Sequence, residues 1–188
     1  MTGRKRKSPY IILIILIAVL TISAATIIGS KSILKSLYPI RYDEFVEVYA
    51  KENNLSPFFV YAVIKCESNF NKYAVSYADA RGLMQLLPSS FDWLMTKTGE
   101  DLPESMMFDP ETSIKYGCYL YGMFVEEFES EAVAVAAYHA GPGNVRKWLK
   151  DDEYSQDGKT LYEIPFSNTK TYVERVTRTK EIYEKLYS

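Results

Sequence analysis

The chain contains one histidine and two cysteines, and no acidic residue precedes Asp43. With His139 as the single histidine, no Cys/His pairing has the spacing of a zinc site, and neither a metal nor a cofactor is expected. Cys66 and Cys118 allow one disulfide in an oxidising compartment; two buried thiols are the alternative. Sustained apolar–polar alternation and Asn-Gly turns are missing, which argues against a fold built on hairpins. Internal repeats and low-complexity segments are also missing. Gly141 and Gly143 follow no strand and precede no Lys-Ser/Thr pair, so they shape a turn rather than cradle a phosphate.

What is present is a globular composition: 188 residues, 47% hydrophobic and 24% charged, enough for one core. The net charge of −2 argues against a nucleic-acid partner. It is an average over two unlike parts. Arg4, Lys5, Arg6 and Lys7 form a basic tip; from residue 8 onward 18 positive residues face 24 negative ones, a net of −6.

Behind the tip, Tyr10 to Ile28 carries no charge. At ~1.5 Å per residue such a helix spans roughly 28 Å, the thickness of a bilayer's hydrocarbon core. Residues 1–9 therefore read as a cytoplasmic tip and 10–28 as a single transmembrane anchor, oriented by the positive-inside rule. Ser23, Ala24 and Ala25 also suit a signal-peptide cleavage site, but Ile27 and Ile28 continue the apolar run past it. Either reading puts the body outside the cytoplasm, at the cell membrane in the anchored case. Residues 29–41 read as a stalk and 42–188 as one domain.

That domain is expected to be all-α, with about seven helices and a small irregular sheet at most. Tyr42, Phe45, Val46, Tyr49 and Ala50 form an apolar stripe ending at Asn53-Asn54. Ser56-Pro57 caps and starts a helix to Ser68; Pro88 to Thr98 is another, stopped by Gly99. Asp109-Pro110 opens a helix to about Glu129, and Ser130 opens the next, closed at Gly141. Shorter and longer helices near 144–150 and 168–187 complete the chain. The polar stretch Lys150 to Lys159 reads as a solvated loop.

The helix at 57–68 is almost wholly apolar and bears one carboxylate, Glu67, at its C-terminal end. Apolar surroundings and the negative end of the helix dipole both favour the protonated form, which suits a proton donor.

From Glu67 the chain reads E-S-N-F-N-K-Y-A-V-S-Y-A-D-A-R-G-L-M-Q-L-L-P. It resembles the signature of the lytic transglycosylase SLT domain, of the goose-type lysozyme-like fold: E-S-x-F-x-x-x-A-x-S-x-x-G-A-x-G-L-M-Q-x-M-P. A-Y-H-A-G-P-G-N-V, from Ala137, is similar to the family's A-Y-N-A-G-P-G-x-V, and I-P-F-S-N-T-K-T-Y-V-E-R-V, from Ile164, to its I-P-F-x-E-T-x-x-Y-V-x-R-V. The resemblance implies a bacterial enzyme cutting the β-1,4 bond between N-acetylmuramic acid and N-acetylglucosamine in peptidoglycan strands, with Glu67 as general acid and then base. The product would carry a 1,6-anhydromuramoyl end.

It also implies that Ser76, Gln85, Leu87, Tyr138 and Asn168 line the sugar site, Tyr138 reaching toward Glu67. Gly82 reads as structural. Four positions depart from the pattern: His139 for Asn, Leu87 for the second Met, Asn168 for Glu, and Asp79 for Gly. Asn168 also suits a helix N-cap, and His139 either tunes activity with pH or fills space. Asp79 keeps open a hydrolase that activates water, provided it lies roughly 6.5–9.5 Å from Glu67. A non-catalytic glycan-binding or assembly protein on the same fold is the remaining alternative.

Overall fold

The structure, a computed structural model, describes residues 31–188, so the basic tip and the apolar run at 10–28 lie outside the described residues. No helix among the described residues is long and apolar enough to cross a membrane. The chain divides between Pro39 and Ile40. Before that point, within the expected stalk, residues 31–37 are helical.

The second unit, Ile40–Ser188, holds seven α-helices: α1 Asp43–Glu52, α2 Pro57–Ser68, α3 Pro88–Thr98, α4 Pro110–Phe128, α5 Glu131–Ala140, α6 Pro142–Trp148 and α7 Ser167–Tyr187. Proline opens four of them, where its missing N–H goes unmissed. Asp109 and Ser130 cap α4 and α5 by accepting from the N–H groups of Thr112 and Val133. Two expected caps do not form. Ser56 stands before α2, but its hydroxyl makes no cap bond. Asn168 lies inside the first turn of α7, whose cap position is Phe166.

A 3-10 turn at Glu104–Phe108 was not anticipated; its five residues are too few to show a period. The expected small sheet is reduced to two isolated bridges, Val75 with Arg81 and Arg81 with Leu86, with no named strand among the described residues.

The apolar sequence of α2 decides the architecture. Phe59 through Ile64 are all buried, so this helix is covered on every face, as an all-round hydrophobic helix must be. It packs against α1 and α7, while α5 packs against α4, α6 and α7. Each fully buried Phe, Val or Ile contributes about 1.5–3 kcal/mol. The consequence for function is placement: the core fixes α2 rigidly, and its last turn brings Glu67 out of the core.

Candidate active site

Glu67 occupies the last turn of α2, which ends with Asn69 and Phe70 in left-handed backbone (φ 50° and 63°). This abrupt turn sends the chain into the 69–87 loop. The Glu67 carboxyl is half-buried, and its Oε1 accepts a hydrogen bond from the Tyr172 hydroxyl. Burial pushes its pKa up from 4.5 to about 7, opposed by the Tyr172 hydrogen bond and the Arg175 charge. The apolar setting expected from the sequence is therefore the dominant cause.

Tyr172, from α7, is buried, and its hydroxyl lies 3.2 Å from that of Tyr121 on α4. Since Tyr172 gives its proton to Glu67, Tyr121 donates to Tyr172. The guanidinium of Arg175 lies 5.5 Å from the Tyr172 ring centroid and donates to the Cys66 carbonyl at 3.3 Å. On the other side, His139 stacks on Tyr172 with centroids 4.7 Å apart, its Nδ1 lying 2.9 Å from Thr169 Oγ1. Burial and the Arg175 charge hold the imidazole below its usual pKa, so it is neutral at pH 7.

Tyr138 was expected to reach toward Glu67. Its hydroxyl lies close enough to Glu67 for that charge to add to burial in raising its pKa, but its hydrogen bond goes to the Met84 carbonyl at 2.6 Å, and its ring stacks on Tyr121 at 4.2 Å and 8°. The hydroxyl that contacts Glu67 is that of Tyr172. Its residue stands in the third sequence block, as the Tyr of Y-V-E-R-V, and that block was the available signal for it.

Gln85 and Ser76 belong to the loop. Gln85 has φ 52°, and its side-chain amide donates to the carbonyls of Ala74 and Gly82 at 3.1 and 3.0 Å, which leaves its Oε1 as the atom able to accept from a ligand. Ser76 is exposed at a turn, where its Oγ accepts from the Ala80 N–H at 3.0 Å. Gly82 has φ 78°, and a Cβ there would lie 2.0 Å from the Met107 carbonyl oxygen, so the position is structural. Asp79 also has a positive φ, 64°, which explains why glycine is at home there.

Two cavities flank this constellation and meet at His139. One, of about 630 Å³, is largely apolar: Leu87, Trp93, Leu120, Met123 and Phe124 line it with Tyr138. The other, of about 410 Å³, is polar and includes Asn168, Tyr172 and Arg175. Asp79 lines neither. Both its carboxylate oxygens accept from Arg81, at 3.0 and 2.9 Å, and these bonds hold its pKa below the usual range. Cys66 and Cys118 are free thiols, so the disulfide reading gives way to its alternative. Burial pushes both thiols up.

The transglycosylase SLT domain profile matches residues 44–161. The soluble lytic murein transglycosylase of Salmonella typhimurium is 32% identical over 147 residues, which cover 76% of this chain and 23% of that protein. A membrane-bound lytic murein transglycosylase C from Actinobacillus pleuropneumoniae is 26% identical over 166 residues, covering 76% of this chain and 46% of that one. Among solved structures, a lytic transglycosylase of Pseudomonas aeruginosa superposes with TM-score 0.72 at 29% identity, over 81% of this chain and 25% of its own. The chain thus spans about a quarter of the length of the first of these relatives.

Proposed function

The chain belongs to the transglycosylase SLT domain family, and from that membership we propose that it is a peptidoglycan lytic transglycosylase with Glu67 as its acid and base. One observation carries the reading: Glu67 is protonated near neutrality, and the groups acting on it are Tyr172 and Arg175, with no second carboxylate among them.

That arrangement suits a reaction without activated water. Tyr172 occupies Oε1, so the carboxyl proton resides on Oε2 and is available to the substrate. Glu67 donates it to the glycosidic oxygen as the C1–O bond breaks and positive charge develops at C1 of the muramic acid. The carboxylate left behind is stabilised by the Tyr172 hydrogen bond and the Arg175 charge. It then accepts the proton of the muramic C6 hydroxyl as O6 bonds to C1, closing the 1,6-anhydro ring and restoring the acid. The neutral amide of Gln85 and the apolar wall with Leu87 suit acetamido and pyranose contacts. Asn168 supplies a further neutral polar group in the adjoining polar cavity, whereas Ser76 lines neither cavity.

The pairing of both Asp79 carboxylate oxygens with Arg81 counts against Asp79 as the base of the hydrolase alternative. Mass spectrometry of digested sacculi tests the choice: anhydro ends are expected, and products heavier by one water would overturn it. Glu67→Gln is expected to abolish cleavage while retaining glycan binding. Retained cleavage would remove Glu67 from its role, and glycan binding without cleavage by the wild-type chain would favour the non-catalytic reading. The basic tip and the apolar run at 10–28 support attachment to the cell membrane with the domain on the extracytoplasmic side. The membrane-bound relative is consistent with this.

A further inference from the structure

Tyr121, on α4, is wholly buried and lines neither of the two cavities, yet its hydroxyl lies 3.2 Å from that of Tyr172. We propose that Tyr121 is a positioning residue for the acid: by donating to Tyr172 it commits the Tyr172 proton to Oε1 of Glu67, which keeps the carboxyl's own proton on Oε2 and stabilises the anion left after donation. The proposal rests on the reading of Glu67 as the acid given above.

The direction of the chain follows from counting donors. Each phenol has one proton to give. If Tyr121 donates to Tyr172 and Tyr172 to Glu67, both protons find an acceptor. In the reverse arrangement Glu67 would give its proton to Tyr172, and the acid would be masked from substrate. The Tyr121 O–H would then be left in the core without an acceptor, at the cost of an unpaired buried donor. The first arrangement therefore holds.

Packing aims the hydroxyl. The Tyr121 ring lies face to face with Tyr138 of α5, at 4.2 Å and 8°, and meets Phe59 of α2 edge-on, at 5.2 Å and 86°. Tyr138 is itself tied to the Met84 carbonyl. Two helices thus hold a side chain that has only two torsions. Hydrogen bonds in series strengthen one another in a core of low dielectric, by about 10–30% per bond. Full negative charge arises at the end of this series only when Glu67 has given up its proton, so the strengthening favours the reacting state over the resting acid.

The other ionisable groups around the acid keep one charge state near neutrality. Burial pushes up the phenols of Tyr121, Tyr138 and Tyr172 and the thiols of Cys66 and Cys118, which are therefore neutral. Burial and the Arg175 charge hold His139 down, so it too is neutral, and a guanidinium stays charged throughout. Within this cluster the charge that changes near pH 7 is that of Glu67.

A carboxyl NMR titration of the full chain with isotope-labelled glutamate tests this without substrate, the Glu67 signal being assigned by its loss in Glu67→Gln. Tyr121→Phe keeps the ring and removes the hydroxyl; it should raise the Glu67 pKa by roughly 0.2–0.6 pH units. On glycan strands it should lower kcat about two- to fourfold with KM unchanged, because Tyr121 lines neither cavity. Meta-fluorotyrosine at 121, a more acidic donor of nearly the same shape, should move the pKa downward, and its sign decides the matter if Tyr121→Phe does not fold. Added to Tyr172→Phe, Tyr121→Phe should change neither pKa nor kcat further. An unmoved Glu67 pKa overturns the proposal, and so does an effect of Tyr121→Phe that is equally large with Tyr172 absent, which would mark a role in packing alone. A wild-type chain that leaves sacculi intact would overturn the peptidoglycan reading, while the titration still decides the coupling of Tyr121 to Glu67.

Discussion

At the residue scale the decisive group is Glu67, whose carboxyl titrates at about 7 instead of 4.5 because it is half-buried. A raised acid pKa has a definite sign for stability. Below 4.5 folded and unfolded chains are both protonated; between 4.5 and about 7 only the unfolded chain releases its proton, so stability falls as pH rises and levels off above that. Glu67→Gln should therefore leave denaturant stability unchanged at pH 4 and raise it at pH 8 by roughly 2 kcal/mol, allowing for solvent screening of a half-buried group. Wild-type cleavage should fall through pH 7 as the acid ionises. Tyr172→Phe removes the donor that lowers this pKa, so kcat is expected to drop by about tenfold while the alkaline limb of the pH profile moves upward. His139→Asn should leave that limb in place, because the imidazole is already neutral there. A shifted limb would restore the pH-tuning role weighed from the sequence.

At the scale of elements, the loop between α2 and α3 is held by backbone geometry more than by side-chain burial. Gly82 donates to the Ala74 carbonyl at 3.0 Å, Arg81 and Leu86 exchange hydrogen bonds at 2.8 and 3.1 Å, and the Gln85 side chain donates to the carbonyls of Ala74 and Gly82. Gly82→Ala meets both a positive φ and the Met107 carbonyl, and about 2–4 kcal/mol of stability should be lost in denaturant titration. Gly143→Ala, in α6 with open space around the added methyl, should be neutral or stabilising by up to about 1 kcal/mol. Helix starts were legible where proline met a capping side chain, as at Asp109-Pro110. The cap bonds themselves were less legible, at Ser56 and Asn168, because a capping residue type does not oblige its side chain to make the bond. The 3-10 turn left no periodic trace.

At the scale of the whole molecule, a body of net charge −6 approaches a wall that is itself often anionic. Long-range attraction should contribute little, and recognition is expected to rely on neutral sugar contacts in the cleft. Turbidity loss of sacculi should accordingly be no faster at very low salt than at moderate salt; a marked acceleration at low salt would contradict short-range recognition. The amino-acid sequence by itself determined the all-α class, the positions of the seven helices and the single carboxylate at the end of an apolar helix, because these follow from local periodicity, caps and composition. It also carried Tyr172 and Arg175 in plain view, in a block whose spacing says nothing of what lies 105 residues away. Asp79 and Arg81, two residues apart in the loop, and Asn168 and Arg175, seven apart on α7, come together locally in ways the residue pattern does not specify. Only the packing of α7 on α2 decided which tyrosine bonds Glu67. Partners of that kind depend on the distance between helices in space, which local sequence periodicity does not encode.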